Sequence, residues 1–236
     1  MTKDALKLPI PNNGKNLLIS VSGEKYARYP IKTPIIMKGD DLLKLINELL
    51  VPFAQENDYI FMSEKIVAIS QGRAFPIKDI KPTLAAKFLS KFVLKTPYGI
   101  GIGSPWTMQL AIDEVGYLRI MLGIIASVLT KPFGIRGVFY RVVGSAVSAI
   151  DGPCDYTLPP YNKYAKLAPK NPDKVAREIK DKLGYEVVII DANDLGVAVL
   201  GKSSKKISDE FAKAVFRDNP LGQTNEQTPL CIVRKQ

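Results

Sequence analysis

The chain has 236 residues, 46% hydrophobic and 24% charged, enough apolar material to bury the core of one large or two small domains and too much for a disordered polymer. It contains no histidine, which excludes Ser-His and Cys-His triads, His-ligated zinc and His general bases, and leaves any chemistry to carboxylates, lysines, arginines, hydroxyls and bound metal. The formal net charge of +10 favours anionic partners such as nucleotide phosphates, an acidic small molecule or nucleic acid, and is equally the mark of a lysine-rich solvated surface.

The opening stretch MTKDALKLPIPNNGK lacks the apolar core of a signal peptide. Asn16 to Val21 reads as a strand, and Lys25 to Ile31 pairs with it across a Ser22-Gly23 turn. Asp40 to Leu50 is an amphipathic helix with Leu42, Leu43 and Ile46 on its apolar stripe and two aspartates at its positive end. Tyr59 to Met62 and Lys65 to Ser70 both read as strands, the second ending at Gln71-Gly72-Arg73, and Pro82-Thr83 opens a helix through Phe92. Leu94 to Gly103 is glycine-rich and reads as a flexible connection; Ser104-Pro105 caps a helix that runs in pieces to Leu129.

Ile120 to Leu129, the longest uncharged apolar run, is about half of the roughly 20 residues a bilayer span needs and reads as a buried helix. Phe139 to Val143 reads as a strand and Asp151 to Pro169 as loop. Asn171-Pro172 starts a helix that Gly184 closes. Glu186 to Ile190 is a buried strand with Asp191 at its end; Val197 to Leu200 is a strand, Ser208 to Phe216 a helix, and Leu230 to Val233 a last strand. Strands and helices mix without a strict alternation, which predicts an α+β (mixed α/β) fold with a mixed β-sheet and flanking helices. It reads as a single domain over 1–236 with two lobes separated near 95–105 and a variable helical segment near 97–136. Cys154 and Cys231 make no disulfide framework, and the protein reads as cytoplasmic with no membrane partner.

Three stretches place carboxylates or amides beside glycine and strand ends: AIDGPCD with Asp151 and Asp155, VVIIDANDLG with Asp191 and Asp194, and GQTNEQTP with Gln223, Asn225 and Glu226. A carboxylate held just after a buried strand is a rigid oxygen ligand for a hard cation, which in turn neutralises nucleotide phosphates. Gly222 lets the backbone approach a phosphate closely. Each stretch also has an ordinary reading as a turn, a cap or a polar surface loop. In SEKIVAISQGR, Lys65 and Arg73 present cations to phosphates or lie along the surface as solvated side chains. No Walker-type loop or dinucleotide fingerprint is present, and no aromatic-interleaved basic motif points to nucleic acid.

The order of these pieces carries more than any one of them. TPIIMKGDDLLKLI (Thr33 to Ile46), DYIFMSEKIVAISQGR (Asp58 to Arg73), AIDGPCD, VVIIDAND and GQTNEQTPLCIVR resemble, in sequence, the gamma-glutamyl ligase family of the deazaflavin coenzyme F-420. The likeness is strongest at Glu64 to Arg73 and Gly222 to Arg234, and weakest from Pro97 to Arg136. It implies a ligase that uses GTP (or ATP) and a divalent cation, Mg or Mn, to join glutamate or a related amino acid to an acceptor carboxylate through an acyl phosphate. It also implies a homodimer, in which the Leu118 to Leu129 helix serves, and a small acidic substrate.

Carried over residue by residue, the resemblance makes Asp151, Asp191 and Gln223 metal ligands. Pro34, Ile35, Lys65, Gly222, Gln223, Thr224, Asn225 and Glu226 become nucleotide contacts. The chain departs from the family pattern at Ile69, where a lysine is expected, at Gly152-Pro153-Cys154, and at Leu195, where an arginine is expected. These departures leave a second reading, a catalytically inactive homologue that binds a nucleotide or an anion as a regulator.

Overall fold

The first hairpin forms where the Ser22-Gly23 turn predicts it. In a computed structural model that describes residues 7–93, 101–135, 137–155, 157–193 and 196–236, β1 (Leu18–Val21) and β2 (Glu24–Ile31) pair antiparallel, with Val21 opposite Glu24. The described residues continue through α1 (Leu42–Leu49), β3 (Tyr59–Ser63), α2 (Glu64–Ser70), β4 (Ala74–Pro76), α3 (Leu84–Leu89), α4 (Pro105–Val115), α5 (Tyr117–Thr130), α6 (Val138–Val143) and α7 (Ser145–Ser148). They end with β5 (Tyr164–Lys166), α8 (Pro172–Leu183), β6 (Glu186–Asn193), β7 (Gly196–Lys202), α9 (Asp209–Phe216) and β8 (Leu230–Lys235). The chain divides into two compact units, one of Met1–Gln71 with Pro169–Gln236, the other of Gly72–Ala168. The stretch near 95–105 lies inside the second unit; of its glycine-rich part, residues 94–100 fall outside the described residues, as do Asp194 and Leu195.

The first unit is built on a six-stranded sheet in the order β1-β2-β8-β3-β6-β7. The β3–β6 pair is parallel and the others are antiparallel, so the sheet is mixed and the fold is α+β as expected. Strand alternation sorts its side chains. Phe61, Val188, Ile190, Cys231 and Val233 face α9, where Val215 and Phe216 complete the cluster and Phe61 stacks on Phe216 at 4.4 Å between centroids. Ile60, Met62, Val187, Ile189 and Ile232 are as deeply buried on the opposite face. There α8 lies against β6 and β7, and α2 against β3 and β6. Burial on both faces explains why β3, β6 and β8 read as continuous apolar runs. The approach of α8 is close: a Cβ on Gly201 of β7 would lie 2.5 Å from the carbonyl carbon of Pro172.

Two ion pairs fix the central strands. At one end of the β3–β8 pair, Arg234 donates to both oxygens of the buried Asp58 carboxylate (2.9 and 2.8 Å) and to the Phe53 carbonyl. On β2, Arg28 is only 1% exposed, and it donates to the carbonyls of Val215 and Asn16 and to both oxygens of Asp218. Burial tends to raise the Asp218 pKa, but the hydrogen bonds and charge of Arg28 outweigh it and hold the carboxyl below its ordinary value.

In the second unit α3, α4, α6 and β5 enclose a separate core around Met108, Ala111, Ile120, Val143 and Ile150. Ser104 caps α4 as predicted, accepting from the Thr107 amide in a reciprocal capping box. Gly116 (φ +82°) divides α4 from α5.

Five sequence expectations are corrected. The run Ile120 to Leu129 is helical but not buried: Leu122, Ile125, Val128 and Leu129 are exposed, and only Ile120 and Gly123 are buried. Lys65 to Ser70 is helical, not a strand: Ser63 accepts from the Lys65 amide as an N-cap, and Ile66, Val67, Ala68 and Ile69 are all buried, which erases the periodicity that distinguishes the two conformations. Phe139 to Val143 is likewise helical, its β-branched residues packed on α5 through Gly123, where Val143 and Phe139 occupy the space of a side chain. The stretch from Asp151 to Pro169 contains β5, paired with β4. The strand Glu186 to Ile190 runs on to Asn193, so Asp191 lies within it, opposite Ala198 of β7.

Gly201→Ala should lower stability in urea by about 2 kcal/mol, because the added methyl must push back a helix backbone. Asp218→Ala, which leaves Arg28 buried without its counter-charge, should cost about 3 kcal/mol. Since the folded-state pKa of Asp218 lies below the unfolded value of about 3.9, its contribution is present above that value and is lost as pH falls through the folded pKa. Urea titrations from neutral to acid pH should show this loss in the parent chain, and Asp218→Asn should lack it.

Candidate functional site

The register of the sheet decides which predicted residues meet. Ile31 at the end of β2 and Met62 near the end of β3 both pair with Leu230 at the start of β8, and Ser63 pairs with Ile190 of β6. Four segments therefore emerge at one end of the sheet: residues 33–37 after β2, residues 222–229 before β8, the first turn of α2 after β3, and Asp191 on β6. With neighbouring strands about 4.8 Å apart, the row from β2 to β6 is about 14 Å wide. Ile190 and Ala192 both join the α9 cluster, so Asp191 between them turns to the opposite face, which also carries α2.

The loop from 218 to 229 is shaped from within. The Asn219 side chain (1% exposed) donates to the Gly222 carbonyl at 3.0 Å, and the Gly222 amide donates back to the Asn219 carbonyl. Gly222 has φ +77°, and a Cβ there would lie 2.4 Å from Cδ of Glu226. Only glycine allows the Glu226 side chain to fold over this backbone. The Glu226 carboxylate accepts from the Thr224 amide (2.7 Å) and from its hydroxyl (3.1 Å).

Thr228 donates to the Leu221 carbonyl and accepts from Asn12, which also donates to the Pro220 carbonyl. Lys15 donates to the Asp218 carbonyl. The Thr33 amide donates to the Gln227 carbonyl (3.0 Å), and the Ser63 amide to the Pro229 carbonyl (2.8 Å), which ties the loop to the two neighbouring segments.

Pro34 and Ile35 thus stand beside the 222–229 loop through Thr33, with Ile35 42% exposed. Gly222, Gln223, Thr224, Asn225 and Glu226 form the loop itself, Lys65 lies in the first turn of α2, and Asp191 is half-buried on β6. Asp151 belongs to the second unit, where it bridges Lys166 through both backbone hydrogen bonds and an ion pair of 3.4 Å. Among the described residues no three Asp, Glu or Cys side chains cluster closely enough to hold a metal ion by themselves.

Arg73 is not a phosphate-facing cation: it is buried, donates to the Ala168 carbonyl and pairs with Glu114 at 2.8 Å. Cys231 is a core residue whose thiol burial pushes far above its ordinary pKa. A cleft of about 520 Å³ lies among α1, α2 and α8, lined in part by Asp40, Leu43, Gln71, Glu178 and Lys182. It contains none of the predicted residues; the sheet end is the better candidate because chain crossings and shaped backbone converge there.

Sequence reading missed the residues that support the loop. Arg28, Asn12, Lys15, Asp218 and Asn219 act over sequence separations of up to about two hundred positions, which no local pattern reveals. A signal existed at Arg28, a charge flanked by Tyr26, Ala27 and Tyr29 in the middle of the strand.

A family model described as F420-0:Gamma-glutamyl ligase matches residues 30–195, a range that includes Pro34, Lys65, Asp151 and Asp191 and stops short of the 222–229 loop. An uncharacterized protein of Methanocaldococcus jannaschii is 27% identical over 175 residues, which cover 70% of this chain and 56% of the relative. The chain thus spans little more than half the length of that relative. With the match extending over well over half of its residues, the chain belongs to the F420-0:gamma-glutamyl ligase family.

Proposed function

We propose that the chain is a nucleotide- and metal-dependent amide ligase that joins glutamate, or a related amino acid, to an acceptor carboxylate. The observation that carries this reading, beside the family match, is the convergence of the 33–37 segment, the start of α2, Asp191 and the 222–229 loop at one end of the sheet. In the reaction a carboxylate oxygen of the acceptor attacks the terminal phosphorus of GTP or ATP, and the nucleoside diphosphate leaves. The amine of the incoming amino acid then attacks the acyl carbon, loses a proton, and releases inorganic phosphate. Holding the partners in line supplies much of the rate.

In this reading Pro34, Ile35 and residues Gly222 to Glu226 hold the nucleotide, the backbone at Gly222 giving the close approach, and Lys65 faces the phosphates. Asp191 and Gln223 offer oxygen donors to Mg or Mn. This donor set fits a cation that takes one or two carboxylates and completes its shell with phosphate oxygens and water. Such a cation would screen the charge of the transferring phosphoryl group. Asp151, which the resemblance would make a metal ligand, belongs to the second unit and pairs there with Lys166, so its part is tested on its own.

A different observation favours the regulatory reading. Ile69, where the family pattern has lysine, is 5% exposed within α2, and Arg73 is committed to Glu114. The lysine of the ligase pattern is thus absent at that position, and the nearby Arg73 is held internally rather than free to replace it.

Calorimetric titration with GTP and ATP in the presence of Mn should show binding that weakens about tenfold or more in Asp191→Ala and in Asp151→Asn. No metal-dependent binding of either nucleotide would overturn the proposal. Gly222→Ala should also weaken nucleotide binding while costing only about 1 kcal/mol of stability in urea. Phosphate release that depends on an added amino acid and acceptor supports the ligase; binding without such turnover across a panel of both selects the regulator.

A further inference from the structure

The face of α5 turned away from the second unit's core is apolar. Leu118, Leu122, Ile125 and Leu129 recur at i, i+4, i+7 and i+11, which places them in one stripe along a helix of about 21 Å. Ile120 and Gly123, on the other side, are the buried contacts. The stripe is open: Leu118 is 73% and Leu129 66% exposed, and beyond the helix end Phe133 is 80% exposed, with Ile135 beside it. A helix apolar on both sides, one side covered and the other bare, needs a second apolar phase.

The charge around it selects the partner. From Gly116 to Ile150 the sequence contains no aspartate or glutamate and four basic residues, Arg119, Lys131, Arg136 and Arg141, within a chain of net charge +10. Arg119 on α5, Lys131 at its end and Arg141 on α6, which packs on α5, are all exposed. The acid-free, basic segment that carries the bare leucine and phenylalanine complements an anionic lipid surface; a second copy of that segment would bring like charges together.

We infer that α5, with the Phe133 turn that follows it, docks on the surface of anionic membranes, its leucine stripe entering the headgroup–acyl boundary and the segment's basic residues meeting lipid phosphates. Among the described residues no helix is long and apolar enough to cross a membrane, so the contact is peripheral.

Co-sedimentation of the full chain with phosphatidylcholine vesicles, with and without phosphatidylglycerol, tests this. The chain should pellet with the anionic vesicles and much less with the neutral ones, and the bound fraction should fall as salt rises. Leu122→Glu/Leu129→Glu, both on the exposed face, should reduce the partition at least about tenfold with an unchanged urea midpoint. Lys131→Gln/Arg141→Gln should remove the preference for anionic lipid. The inference is overturned if the chain ignores anionic vesicles, or if binding is indifferent to both double variants. It is also overturned if sedimentation velocity shows a dimer that Leu122→Glu/Leu129→Glu dissolves, which would make the stripe a self-interface.

Discussion

The pairing of β8 with β2 on one side and β3 on the other is the constraint on which the first unit rests. Leu230 lies opposite both Ile31 and Met62, so the chain leading into β8 must pass between the chains leaving β2 and β3. Everything placed at that sheet end follows from this register. A shift of one residue would turn Cys231 and Val233 away from α9 and expose the apolar set to the wrong layer, so burial on both faces enforces the pairing that also gathers the candidate residues.

The 222–229 loop is held to its shape by a division of labour. Asn12, Lys15, Asn219 and Thr228 secure its two ends to buried framework, and the Arg28–Asp218 pair anchors the chain just before it. Glu226 closes over Gly222 in between, satisfying the Thr224 amide locally. The loop is therefore preorganised without drawing on any hydrophobic side chain of its own. Arg73 shows the reverse allocation, a cation spent wholly on internal contacts within the second unit.

Much of this was legible in the sequence. The Ser22-Gly23 hairpin, the acidic start of α1, the Pro82-Thr83 start of α3, the Ser104 cap, the Gly184 stop and the buried character of Leu230 to Val233 rest on local chemistry that tertiary context does not override. The two helices read as strands, α2 and α6, fail for different reasons: in α2 the residues Ile66 to Ile69 are buried all round and carry no period, so the Ser63 cap decides, whereas α6 is a short β-branched run that buries only Val143 and takes its helical form from packing on α5. Candidate residues near the sheet end were found because motif order survives divergence. Their supports were not, because Asn12 to Pro220 and Arg28 to Asp218 are contacts that only folding makes adjacent.

The place of β8 in the sheet also bears on biosynthesis. As a nascent chain leaves the ribosome, β2 and β3 emerge about 200 and about 170 residues, respectively, before the strand that joins them, and until then each offers an unpaired apolar edge to its surroundings. The cell thus handles an open-edged intermediate for most of translation, and a general chaperone able to shield those edges has its longest task here, ahead of any encounter with substrate.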